Sequence, residues 1–194
     1  RLPPHHLKWR QLSANSSAIT FIMDHIAANQ PHDIMCQLDW RELSKNPSAI
    51  PILETHPYII YWSNLSTNPN AITLLKKHPK KINWRMLSLN HSPEAIQLLE
   101  RKWRKINWDG LSSNPFAMHL LEQNQHKINW GELGANPNAI ELIKQNMLHY
   151  VMWVKLSTNP SAIELLEESG VCVYNVWANP AIFEENDDNS YVFK

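Results

Sequence analysis

Three short stretches are best placed to bind another molecule: Lys80-Lys81, Arg104-Lys105 and His126-Lys127, each standing just before Ile-Asn-Trp. Ammonium and guanidinium groups repeated at a fixed spacing can hold a row of carboxylates or phosphates. Between Lys76 and Lys105 there are nine Lys or Arg residues and two acids, Glu94 and Glu100. Lys80, Lys81, Arg104, Lys105 and Lys127 therefore form a candidate binding edge. It suits an acidic protein partner first and nucleic-acid phosphate second. An ordinary solvated edge is the plainer alternative, since exposed is the usual state of Lys and Arg.

Catalytic and metal chemistry find less support. His56 and His78 occupy one repeated position, at the end of a helix, where neighbouring copies carry Lys102, Asn124 and Asn146, so they read as caps. His5-His6 sits near the first residue of the chain, and no His, Cys or Asp spacing matches a zinc site. Ser recurs without a matching column of His and acid, as a nucleophilic triad would need. The four glycines make no phosphate-cradling loop. We expect no catalytic residue, no cofactor and no metal. Cys36 and Cys172 are too far apart in sequence to read as a disulfide framework, which favours a reducing, intracellular setting. No apolar run approaches the roughly 18 residues of a membrane span, so no membrane partner is expected. Zero net charge argues mildly against a free-standing nucleic-acid binder. The sequence does not fix the oligomeric state.

The elements that would position these residues come from a repeat. Tryptophans stand at Trp9, Trp40, Trp62, Trp84, Trp108, Trp130, Trp153 and Trp177, and from Trp40 to Trp153 the steps are 22, 22, 24, 22 and 23 residues. Leu follows three residues after each of the first seven, then Ser (Gly134 once), then Asn. Pro usually comes next, then Ala-Ile and an aliphatic pair such as Leu74-Leu75. Asn46, Asn68, Asn114, Asn136 and Asn159, each before Pro, read as N-caps, because the side-chain oxygen accepts a free N–H and Pro tolerates the first helical position. A binding ladder of Asn amides is the less favoured alternative. Asp39, Asn83, Asn107 and Asn129 start the helix that carries Trp and Leu, and Asp39 with Glu42 and Asn129 with Glu132 resemble capping boxes. Asn124 and Asn146 suit left-handed C-caps. Ser44, Ser66 and Ser88 should bond back to the backbone.

Each repeat is thus two short helices, too short to be stable alone, which must bury apolar residues against neighbouring copies. The fold class expected is all-α: an α-solenoid of about seven to eight short two-helix repeats with atypical terminal units. Trp40, Trp62, Trp84, Trp108, Trp130 and Trp153 are expected in the core, since aromatic rings carry large apolar area. Stacking platforms for bases are the alternative. We divide the array into residues 1–39, a cap with a lengthened first repeat; 40–176, regular repeats; and 177–194, a degenerate last repeat with the acidic tail Glu184 to Asp188. Residues 171–194 read as the stretch most able to be extended.

Segments such as Ile82-Asn83-Trp84-Arg85-Met86-Leu87-Ser88 and Leu65-Ser66-Thr67-Asn68-Pro69-Asn70-Ala71-Ile72 resemble a helical repeat common in uncharacterised proteins of large DNA viruses of algae and amoebae. Asn179-Pro180-Ala181-Ile182-Phe183-Glu184 resembles the end of such arrays. The resemblance covers about residues 8 to 185. It implies a helical array and a viral source, hence infected-cell cytoplasm or virion, and supplies no catalytic residues. The expected function is a non-catalytic protein-interaction scaffold. A minor capsid or scaffold component of a virus particle, and nucleic-acid binding through the basic edge, are the rivals.

Overall fold

The computed structural model describes residues 8–28, 34–146, 153–169, 183–185 and 191–193. The chain packs as two compact units, residues 1–105 and 106–194. The sequence-based division into one array with two atypical ends did not anticipate this boundary. It falls just before Trp108, which closes the longest step in the regular series from Trp40 to Trp153, 24 residues.

Both units are built from the same short helices. In the first they are α1 (Trp9–Ala14), α2 (Ile19–Ala28), α3 (Trp40–Lys45), α4 (Ile50–Thr55), α5 (Trp62–Leu65), α6 (Ile72–Lys77), α7 (Trp84–Leu87) and α8 (Pro93–Glu100). In the second they are α9 (Trp108–Ser112), α10 (Met118–Gln123), α11 (Trp130–Leu133), α12 (Ile140–Gln145), α13 (Trp153–Ser157) and α14 (Ile163–Ser169). The chain is an all-α helical repeat, as the periodicity predicts. One small addition lies in the stretch marked as able to be extended: β1 (Phe183–Glu185) pairs antiparallel with β2 (Tyr191–Phe193), Glu184 opposite Val192. The degenerate repeat from Trp177 to Ile182 lies outside the described residues.

The local chemistry follows the repeat. The Asn oxygens of Asn46, Asn68, Asn114 and Asn159 accept from the N–H two residues on, and Pro stands first in the turn that follows. That turn is 3-10 rather than α in all four, so the second helix opens tightly and relaxes to α at Ile50, Ile72, Met118 and Ile163. Asp39, Asn83, Asn107 and Asn129 cap the Trp helices as expected. Helix α2 runs ten residues where α4 runs six, in line with the lengthened first repeat.

Two local expectations are corrected. Asn124 and Asn146 are not left-handed, with φ −132° and −110°. Their side-chain amides instead donate to the carbonyls of Leu120 and Leu142, both at 2.9 Å, so the helix end is satisfied without a positive φ. The capping boxes are half-formed. Asp39 and Asn129 accept from the N–H groups of Glu42 and Glu132, but their own N–H groups go elsewhere.

The core is aliphatic and identical in plan in the two units. Leu43, Leu65 and Leu87 are fully buried in the first, Leu111, Leu133 and Leu156 in the second. Ala49, Ala71, Ala95, Ala117, Ala139 and Ala162 are likewise at 0 % exposure. The tiny side chain at that place lets consecutive repeats approach closely.

Candidate docking edge

The residues that recur most strictly are turned inward. Asn46, Asn68, Asn90, Asn136 and Asn159 donate through Nδ2 to backbone carbonyls of the preceding repeat, and all but Asn90 also cap their own helix. Asn68 reaches Ser44 O (3.1 Å) and Asn46 O (2.9 Å). Asn90 reaches Ser66 O and Asn68 O, Asn136 reaches Ser112 O and Asn114 O, and Asn159 reaches Gly134 O and Asn136 O. Asn46 donates to Ser13 O at 3.0 Å. The amides thus form a ladder, but between repeats and buried, with Asn68, Asn90, Asn114 and Asn136 at 0 % exposure. Buried this way, they present nothing to a ligand.

The Ser column is a second ladder. The hydroxyls of Ser13, Ser44, Ser66 and Ser112 donate to the Trp carbonyl four residues back, the expected back-bond. The same oxygens accept the N–H of the residue that opens the next repeat: Asp39, Tyr61, Asn83 and Asn129. This is where the capping-box donors go.

The Trp column departs from expectation. Trp9 is buried, at 2 % exposure. Trp40, Trp62, Trp84, Trp108, Trp130 and Trp153 are only half-buried. The cause is what covers each ring. Over Trp9, the lengthened α2 lays Phe21 and His25, at centroid distances of 6.0 and 5.5 Å. In the next four repeats a polar side chain lies over the ring. His56 covers Trp40 and His78 covers Trp62. Lys105 covers Trp84 with Nζ 5.4 Å from the ring centre, and Lys127 covers Trp108 at 4.7 Å. Trp84 and Trp108 each meet a lysine ammonium, a cation–π arrangement.

The predicted basic edge is therefore divided in role. Lys105 and Lys127 serve as ring lids. Lys80, Lys81 and Arg104 are exposed, and Arg104 lies 5.2 Å from the ring centre of Trp103. Trp103 is 56 % exposed, the largest exposed indole among the described residues. Lys76, Arg85, Arg101 and Lys102 add charge in the same stretch, all exposed, while Lys77 pairs with Glu54 at 3.2 Å. Residues 76–105 thus present a basic surface with an indole in it.

A count of charge by unit shows what the neutral total hides. Residues 1–105 hold 14 Lys or Arg and 7 Asp or Glu, net +7; residues 106–194 hold 4 and 11, net −7. Glu122, Glu141, Glu164 and Glu167 are exposed on the second unit. Sequence reading could have found this by counting along the chain rather than over it.

An open cleft of about 370 Å³ in the first unit is lined by Arg10, Gln37, Trp40, Arg41 and Tyr61 among others. Asp39 in its wall is held by Arg10 (3.1 Å). Burial pushes the Asp39 carboxyl up, but the N–H of Glu42, the Arg10 side chain and the N–H of Arg41 outweigh it and hold its pKa below the ordinary value. Its carboxylate is committed to the cap of α3. Among the described residues no group of three or more His, Cys, Asp or Glu could hold a metal ion, and no helix is long and apolar enough to cross a membrane. His5, His6 and Cys172 lie outside the described residues. No family model, curated protein or solved structure matches the chain.

Proposed function

We propose that this protein is a non-catalytic interaction scaffold that docks an acidic protein segment on the basic edge of its first unit. One observation carries the reading. The recurring polar residues are buried and bonded between repeats, whereas the variable residues of 76–105 face solvent as Lys, Arg and Trp103. Recurring chemistry builds the array, and the exposed charge of 76–105 is mostly positive, nine Lys or Arg against Glu94 and Glu100. Lys80 and Lys81 supply long-range attraction to carboxylates, and Trp103 beside Arg104 supplies an apolar anchor of the kind enriched at interfaces. The resemblance of the repeat to those of large DNA viruses supports a viral source.

Binding of a poly-glutamate peptide to the full chain tests this, followed by fluorescence anisotropy across a salt series. Affinity should fall as salt rises. The variant Lys80→Glu, Lys81→Glu, Arg104→Glu should weaken binding by about tenfold or more at low salt, with helical content unchanged. Equal binding by that variant would remove the edge as the site. The exposed indole favours a second reading, single-stranded nucleic acid stacked on Trp103. There, single-stranded DNA would bind more tightly than poly-glutamate, and Trp103→Ala would weaken DNA binding far more than peptide binding.

A further inference from the structure

We propose that the acidic partner of the basic edge is a second copy of this chain, which presents the acidic surface of its own second unit. The inference rests on the docking reading above and names its occupant.

Charge complementarity is the first argument. The two units carry +7 and −7, so each molecule holds a surface and its electrostatic counterpart. Placement within the repeat is the second. Lys76 and Lys77 close α6 directly after Ile72-Thr73-Leu74-Leu75; Glu167 and Glu168 close α14 directly after Ile163-Glu164-Leu165-Leu166. At this position α6 and α14 carry opposite signs, although Glu54 and Glu100 also stand there in the first unit and Lys144 in the second.

Pitch is the third argument. Lys80 to Arg104 is a step of 24 residues between exposed cations, and Glu141 to Glu164 is a step of 23 between exposed acids. Each step is one repeat. A row of cations and a row of carboxylates spaced by the same structural unit can pair in register over more than one repeat. A generic acidic segment has no such built-in spacing. The acids are available for this. Glu141, Glu164 and Glu167 are exposed, whereas Glu132 is taken by Lys155 and Glu168 by Lys144 within the unit.

The two patches differ, so contact between copies is heterologous unless both pairings form within one pair of molecules. The attraction is between exposed groups, screened beyond about 8 Å at physiological salt. Association should therefore be reversible and strongest at low salt.

The experiment uses the full chain and two charge-reversed variants, with mass measured by sedimentation velocity over concentration and salt. One variant carries Lys76→Glu, Lys80→Glu, Lys81→Glu and Arg101→Glu. The other carries Glu122→Lys, Glu141→Lys, Glu164→Lys and Glu167→Lys. The parent chain should associate with rising concentration at low salt and dissociate as salt is added. Each variant alone should associate about tenfold or more weakly. An equimolar mixture should recover association, because the intact basic edge of one meets the intact acidic surface of the other. That recovery excludes misfolding as the cause of the losses. A parent chain that stays monomeric at every concentration at low salt overturns the inference, as does a mixture no more associated than its components. Poly-glutamate binding by that monomeric parent would leave the docking edge standing and remove only the second copy as its occupant. Loss of both would remove both.

Discussion

In residues 1–105 the end of α6 carries Lys76 and Lys77; in residues 106–194 the end of α14, reached by the same Ile-x-Leu-Leu pattern, carries Glu167 and Glu168. Beneath those side chains the two regions cannot be told apart by plan. Leu87 and Leu133 are both fully buried, Ala71 and Ala139 both at 0 % exposure, and Asn68 and Asn136 make the same pair of amide bonds to the preceding repeat. The difference teaches how the fold leaves its exterior free. The ladders specify stacking from inside, through backbone groups that every sequence has, so surface charge can change sign without touching what holds repeats together.

The comparison can be broken most forcefully in the core. Leu87→Ala in the first unit and Leu133→Ala in the second should each cost about 4 kcal/mol, within the range for a fully buried Leu, in urea unfolding of the full chain. A large disparity would show that the interiors are not equivalent. Next come the amides. Asn68→Ala and Asn136→Ala should each cost about 3 kcal/mol, since each leaves buried carbonyls of the neighbouring repeat without their donor as well as removing a cap. A loss of only ~1 kcal/mol would mean that the side chain acts as a cap alone. Trp84→Ala and Trp108→Ala should be milder, about 2 kcal/mol, because each ring is half-buried under a lysine rather than enclosed. Trp9→Ala should exceed both.

The smallest effect separates the units by pH. Asp39 caps α3 in the first unit, where Asn129 caps α11 in the second. The folded-state pKa of Asp39 is lowered, so its stabilisation is present above the ordinary carboxylate value and is lost as pH falls through the lower folded value. Asn129 does not titrate. Asp39→Asn should therefore flatten the acid limb of the stability profile, and Asn129→Asp should steepen it. Identical limbs in parent and Asp39→Asn chains would contradict the assignment.

Much of this was legible in the sequence for a physical reason. Caps, the Asn-Pro helix start and the Ser back-bond are local, acting within four residues. What escaped is what acts across repeats. The Asn Nδ2 reaches carbonyls 22 to 33 residues earlier, which no local rule anticipates. A signal was nevertheless present. An N-cap accepts Asp, Ser or Thr almost as well as Asn, yet all seven complete repeats keep Asn. Only Asn among these brings amide donors. The repeat with the insertion makes the point: Ser92 caps α8, while Asn90 keeps the ladder. Trp exposure escaped because it depends on which side chain the second half of the same repeat lays over the ring. The charge division escaped because a zero total conceals it.

Lysine acetylation footprinting tests the central claim most directly. The full chain is labelled at a concentration low enough to hold it monomeric, with and without saturating poly-glutamate. The account predicts protection of Lys76, Lys80, Lys81 and Lys102 on the first unit, with Lys144 and Lys155 of the second labelled equally in both states. Protection confined to the second unit, or binding of the peptide with no lysine of residues 76–105 protected, would contradict it.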